Sequence, residues 1–240
     1  MLGMQLAEQS WTAVDEMDVD AVLLPVGSTE QHGPHAPLGT DTLLAEEVSR
    51  RAAVQSTRQL LVAPPLPVGI AEEHRHFTGT LWLSPETFRA TLNETITSIA
   101  YHGFSPVLIV NGHGGNVDAI AEVAARVTRD RDAYCVAFTW FQAVATGSEM
   151  GHAGAIETSA LLSLSPELVD TDALEAASTG AVDRWGVWVD GVNLAYDTDE
   201  FAPNGVVGDP EHAGSERGET LLTEATDVLL DVIEAAIERA

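Results

Sequence analysis

Four short apolar runs, set between longer stretches of helical periodicity, constrain the fold of this chain most. They are Ala21–Val26 (AVLLPV), Leu60–Pro67 (LLVAPPLP), Pro106–Val110 (PVLIV) and Ala133–Trp140 (AYCVAFTW). Such runs are strand-length and largely apolar, the pattern of strands covered on both faces. Ser84–His102 is the clearest helix between them: Ser84 caps it, Pro85 suits the first helical position and Gly103 ends it. In Thr42–Ala53, Leu43, Leu44, Val48 and Ala52 fall near helical spacing and leave Glu46, Glu47, Arg50 and Arg51 for a wet face. Val117–Arg129, a segment ending near Leu164 and the long Ser215–Arg239 also read as helices, with a short one at Ser10–Met17. The last helix turns Leu221, Leu222, Ala225, Val228, Leu229 and Val232 to a core or a subunit contact. Gly69–Ser84 is an irregular loop with room for a short strand, and Asp172–Asn193 has no single reading. Alternating strands and helices predict one α/β domain over residues 1–240, with a mostly parallel sheet covered on both sides.

Composition narrows the function. Hydrophobic residues make up 45% of 240, enough for a sizeable core, and no apolar run reaches membrane-spanning length. The first residues lack the basic and apolar regions of a signal peptide. The lone cysteine, Cys135, lies in an apolar run and reads as a buried, inert thiol. Eleven arginines, no lysine and a net charge of −26 argue against nucleic acid as partner. With strong apolar periodicity, that charge suggests a folded, intracellular, cytoplasmic protein of a salt-accumulating organism, where the Debye length shrinks to about 3 Å and surface charges scarcely repel.

The chemistry-bearing residues follow the apolar runs. Gly27–Asp41 (GSTEQHGPHAPLGTD) packs Glu30, His32, His35 and Asp41 into twelve residues. In extended backbone Glu30 and His32 share a side, and glycines and prolines then turn the chain so that Asp41 can return. Oxygen and nitrogen ligands without thiolate suit Zn, Mn or Fe(II), although a solvated polar turn would look similar. Asn111–Asn116 (NGHGGN) puts His113 at the apex of a glycine loop, which fits a metal site or a phosphate cradle at a helix start. His152 and Glu157 would diverge by roughly 140° on one helix, so they converge only if His152 precedes the helix and Glu157 lies in its first turn. In a parallel sheet these loops share one edge, and their carboxylates and imidazoles make a two-metal hydrolytic site plausible.

GSTEQHGPHAPLGTD, EHRHFTGTL, NGHGGN, GHAGAIETS and GVVGDPEHAGSERG occur in this order over nearly the whole chain, and together they resemble the creatininase (creatinine amidohydrolase) family. The resemblance implies a three-layer α/β/α fold and a binuclear centre of two divalent ions, Zn, Fe(II) or Mn. It implies that Asp41 bridges the ions, with Glu30 and His113 holding one and His32 and Glu157 the other. His152 matches the family's catalytic histidine, a general acid toward the leaving nitrogen, and His35 would orient a ligand from behind it. His74 matches a family position beside the pocket, and Asn111 and Asn116 flank the site in the same supporting or substrate-facing role. A homo-oligomer, commonly a hexamer, is implied as well.

One position departs. True creatininases carry a glutamate two residues after the histidine matching His113, and here that residue is Gly115. The GHGGN version is more similar to the archaeal formamidopyrimidine-nucleotide deformylases of riboflavin and F420 synthesis, or to peptide-cleaving members of mycofactocin maturation. The expected reaction is hydrolysis of a non-peptide C–N amide by a metal-activated water, foremost a small-molecule formamide. Creatinine ring opening, peptide cleavage and a non-enzymatic metal- or nucleotide-binding subunit are the alternatives. Trp185 and Trp188 are expected to pack rather than wall the pocket, and Arg75 to pair with a surface acid.

Overall fold

The structure is a computed structural model that describes residues 4–130, 132–144 and 150–240. Five parallel strands form its sheet: β1 (Met4–Gln5), β2 (Ala21–Val26), β3 (Leu60–Val62), β4 (Val107–Asn111) and β5 (Cys135–Thr139), in the order β1-β3-β2-β4-β5. Helices α1 (Trp11–Asp15), α2 (Thr40–Gln55), α3 (Pro85–Tyr101), α4 (Val117–Asp130), α5 (Trp140–Val144), α6 (Ala155–Leu164), α7 (Leu174–Thr179) and α8 (Ser215–Ile237) surround it. A small antiparallel hairpin, β6 (Trp188–Val189) with β7 (Val192–Asn193), stands apart.

Strand pleating divides the core into two layers. Ala21 and Leu23 of β2, with Leu108 and Val110 of β4, pack against Leu44 and Val48 of α2, Ile156 and Leu161 of α6, and Leu222 and Leu229 of α8. The intervening Val22, Leu24, Val26, Val107 and Ile109 face Phe88, Leu92 and Ile96 of α3 and Ile120 and Val123 of α4. Successive side chains point to opposite faces, so a run apolar at every position feeds both layers. The fold is therefore the expected α/β/α arrangement.

Several boundaries differ from the sequence expectation. The Leu60–Pro67 run is a strand only to Val62, because Pro64 and Pro65 have no N–H for the ladder. Leu66 returns to Val26 as an isolated bridge. The Ala133–Trp140 run ends as strand at Thr139, and buried Trp140 starts α5. No strand forms in Gly69–Ser84, where Glu72–His74 is a single 3-10 turn and only Leu81 bridges to Thr29. Helix α2 begins at Thr40, so Asp41 sits in its first turn rather than in the loop. Glu47 is buried, held by Arg50 and Arg51 at 2.8 and 2.7 Å, instead of facing water. On α8, Val228 is exposed while Leu221, Leu222, Ala225 and Leu229 are buried as expected. No described helix is long and apolar enough to cross a membrane.

Candidate metal centre

The carboxyl ends of β2, β4 and β5 lie together, and the segments leaving them meet there. Asp41 comes from the first turn of α2, a favourable place for a carboxylate near the positive end of the helix dipole. Gly112 lets β4 pass directly against it, because a Cβ there would run into the Asp41 carbonyl. His152 precedes α6 and Glu157 lies in that helix's first turn, the one arrangement that lets them converge. Paired hydrogen bonds at 2.9 Å tie the His152 backbone to Val207.

Glu30, His32, Asp41, His74, His113, His152 and Glu157 are brought into one buried cluster. The two oxygens of Asp41 divide it: Oδ1 is 3.1 Å from His32 Nε2 and Oδ2 is 3.2 Å from His113 Nδ1. Glu30 Oε2 is 3.2 Å from the same His113 nitrogen, and Glu157 Oε1 is 3.9 Å from His32 Nε2. Glu30 Oε2, His32 Nε2 and Asp41 Oδ2 are buried with no hydrogen-bond partner, although their neighbours are at contact distance.

The imidazoles are oriented from behind. His113 Nε2–H donates to the Ile70 carbonyl at 2.6 Å, His32 Nδ1–H to the Glu30 carbonyl at 3.2 Å and His152 Nε2–H to the Gln31 carbonyl at 2.7 Å. A carbonyl only accepts, so each of these nitrogens carries a proton and the other one faces the carboxylates. His74 is turned the other way. Its Nδ1 accepts from the Gln31 amide at 2.9 Å, which leaves Nε2–H directed toward Glu30 Oε1, 3.5 Å away. His74 therefore presents a donor that steadies Glu30, whereas the inward nitrogens of His32 and His113 face carboxylates and offer lone pairs once a cation displaces their protons.

Electrostatics follow from burial and mutual charge. Burial opposes protonation of His32, yet Asp41, Glu157 and Glu30 outweigh it and raise its pKa to about 10. His113 is raised in the same way, against burial, by Glu30 and Asp41. Burial would raise the Asp41 pKa, but His32 and His113 bring it well down. Burial lifts Glu157 to about 7. Burial, with His32 and His74 nearby, drives His152 far down, and burial brings His74 to about 4. The inward lone pairs and the unpartnered acceptors fit divalent cations, which would replace the protons on His32 and His113.

Supporting residues behave as follows. Asn111 Nδ2 donates to the His113 carbonyl at 2.7 Å, and its Oδ1 accepts from His113 N–H at 3.2 Å. Asn116 accepts from Ile70 N–H and donates to the Gly27 carbonyl, each at 3.0 Å, so it locks three loops together. His35 departs from the expectation: its Nε2 meets the Thr158 hydroxyl at 2.9 Å, and among the described residues it hydrogen-bonds no candidate ligand. Gln31 was missed by the sequence reading. Its amide nitrogen donates to His74 Nδ1 and to the Gly205 carbonyl at 3.0 Å, its backbone carbonyl accepts from His152, and it gave no signal beyond lying between Glu30 and His32. Trp185 also corrects the expectation. It stands edge-on to His152 and His74, with ring centroids 5.9 and 5.6 Å away, and walls a cavity of about 320 Å³ over the cluster. Trp188 lies on the hairpin, half exposed. Arg75 pairs with Asp197 at 2.6 Å, as expected of a surface arginine.

A parallel sheet covered by helices, with carboxylates and inward-facing imidazoles at its carboxyl edge, defines a metal-dependent hydrolase of the α/β class. Comparison with known proteins specifies it further. Residues 7–233 match the creatininase family, described as creatinine amidohydrolase. The mycofactocin precursor peptide peptidase of Mycolicibacterium smegmatis is 37% identical over 90% of this chain and 85% of its own. The creatinine amidohydrolase of Pseudomonas putida is 27% identical over 88% of both. A manganese form of creatininase superposes with a TM-score of 0.82 at 26% identity, covering 97% of this chain and 98% of the other. The chain belongs to the creatininase family of metal-dependent amidohydrolases.

Proposed function

We propose that this chain hydrolyses an amide C–N bond of a peptide substrate. The observation that carries the hydrolytic reading is Asp41, whose two oxygens reach one inward-facing imidazole each. In this reading Glu30, His113, His32, Glu157 and Asp41 would hold divalent ions (Zn, Mn or Fe(II)), Glu30 and His113 on one side of Asp41 and His32 and Glu157 on the other. Bound there, the ions supply Lewis acidity toward the carbonyl and a water acidified toward neutral pH. His152 is kept from protonation at rest by burial. It would take up at Nδ1, on the cluster side, the proton released by the attacking water and deliver it to the departing nitrogen as the C–N bond breaks. Its Nε2–H stays on the Gln31 carbonyl, which holds the ring in place. Asn111 and Asn116 keep the His113 loop in register.

The peptide substrate is supported by the relatives named as peptide peptidases, 33–37% identical over 86–90% of this chain. Phe141, Met150 and Trp185 add an apolar wall suited to a side chain. A second reading, deformylation of a formamidopyrimidine ribonucleotide, uses the same amide chemistry, but no arginine lines the cavity among the described residues to meet its phosphate. A homo-oligomer is part of the proposal, with the exposed Trp188, Val189 and Val192 of the hairpin as a face for a second copy.

The test is turnover of the protein reconstituted with Zn, Mn or Fe(II), against a chelated control and Asp41→Asn. Short peptides are followed by mass spectrometry, the formamidopyrimidine nucleotide by formate release, and creatinine by ring opening. Metal-dependent peptide cleavage that falls by more than about 10³-fold in Asp41→Asn supports the proposal. Formate release without peptide cleavage selects the second reading, and a folded protein that takes up no metal rejects both.

A further inference from the structure

Four carboxylates line the cavity, and three of them already face an imidazole: Glu30, Asp41 and Glu157. The fourth, Glu73, lines the same space half-buried, and among the described residues no side chain hydrogen-bonds or ion-pairs with it. It projects from the 3-10 turn Glu72–His74, whose last residue steadies Glu30. Its carboxylate reaches over Gly115, where an added Cβ would lie 3.2 Å from Oε1 and overlap the Ile70 carbonyl and the His113 ring. The floor beneath Glu73 is therefore bare backbone.

No arginine lines this cavity among the described residues. Arg75, two residues on in the chain, turns outward to Asp197 and Glu72. The remaining wall, Phe141, Met150 and Trp185, is apolar. A half-buried carboxylate that no side chain hydrogen-bonds keeps acceptor capacity for a ligand, and a ligand bringing a charged donor gains a strong hydrogen bond there.

We propose that Glu73 is a specificity-determining residue that accepts hydrogen bonds from a cationic amine of the substrate, bound between Gly115 and the Trp185 wall. This rests on the amidohydrolase reading and narrows its substrate class to amides with an ammonium or protonated amine close to the scissile carbonyl.

Binding tests this without relying on turnover. Zinc-loaded wild type and Glu73→Gln are titrated calorimetrically with phenylalanine amide, which carries an ammonium, and with N-acetylphenylalanine amide, which is neutral. The wild type should prefer the cationic probe by about tenfold. Glu73→Gln should bind both alike with unchanged zinc content, and Glu73→Asp should restore part of the preference. A preference that survives in Glu73→Gln, a wild type with no preference or no binding, or loss of zinc from the variant each overturns the proposal. If the preference is present but no amide is hydrolysed, the amidohydrolase reading fails while the assignment of Glu73 stands.

Discussion

Two adjoining parts of one segment are equally buried and opposite in character. Val107–Val110 of β4 are fully buried, and so, within a few per cent, are Asn111, His113 and Asn116 immediately beyond them. The first part satisfies itself: its backbone is in the ladder and its side chains enter two apolar layers. The second is satisfied only by directed hydrogen bonds, and the cluster it serves keeps acceptors that make no hydrogen bond among the described residues. Apolar contact is non-directional and contributes stability wherever area is buried. Buried polar groups cost stability unless each is matched, and an unmatched set persists where a ligand completes it. The strand thus carries stability and the loop carries function.

Substitutions on either side should separate the two properties. The largest loss of rate short of removing a ligand is expected for His152→Ala, about 10²- to 10⁴-fold in kcat. Metal stoichiometry, read by elemental analysis, should be unchanged, and loss of metal would recast His152 as a ligand. Leu108→Ala tests the other side. It empties a site under α2 and α8 and should cost about 2–5 kcal/mol in urea unfolding, while kcat per folded molecule stays near wild type. A larger effect on kcat than on stability would contradict the division.

A smaller effect is expected for Asn116→Ala, about 10- to 100-fold in metal affinity, because the His113 loop loses its tie to Ile70 and Gly27. Calorimetric titration of the metal-free protein would read it, and unaltered affinity would assign Asn116 to the fold alone. The smallest effect concerns the strand side and pH. Burial raises the Cys135 thiol from 9.0 to about 12. Its contribution is fully present below the unfolded value and is lost as pH rises toward the folded one, because the unfolded chain releases the proton first. By about pH 10.5 the wild type should have lost about 2 kcal/mol more than Cys135→Ala. Parallel pH curves for the two proteins would show that the thiol is not shielded.

Legibility of the sequence tracks the same division. The Ala21–Val26 strand and the Ser84-capped helix were readable because periodicity, caps and apolar runs are local signals. Met4–Gln5 was not, since two residues make no pattern, and its pairing with β3 is a long-range event. Glu47 was placed on the wet face because helical spacing cannot show that Arg50 and Arg51 fold over it. At the site, ligand-type residues stood out by type and spacing, whereas Gln31 did not, and Trp185 reads from sequence as a packing residue. Gln31 acts through partners as distant as Gly205, and Trp185 comes from a stretch with no periodicity.

By itself, then, the sequence determined the alternation of strands and helices, the parallel sheet and the loops that carry carboxylates and imidazoles. These depend on residue type and near-neighbour spacing, which the chain states directly. Only the tertiary structure decided which nitrogen of each histidine faces inward, that His74 steadies a carboxylate while His113 turns Nδ1 to two carboxylates, and that Glu73 stands over Gly115 with no side-chain hydrogen bond among the described residues. The rings of His113 and His152 are turned by carbonyls of other segments: Ile70 lies 43 residues from His113, and Gln31 lies 121 from His152.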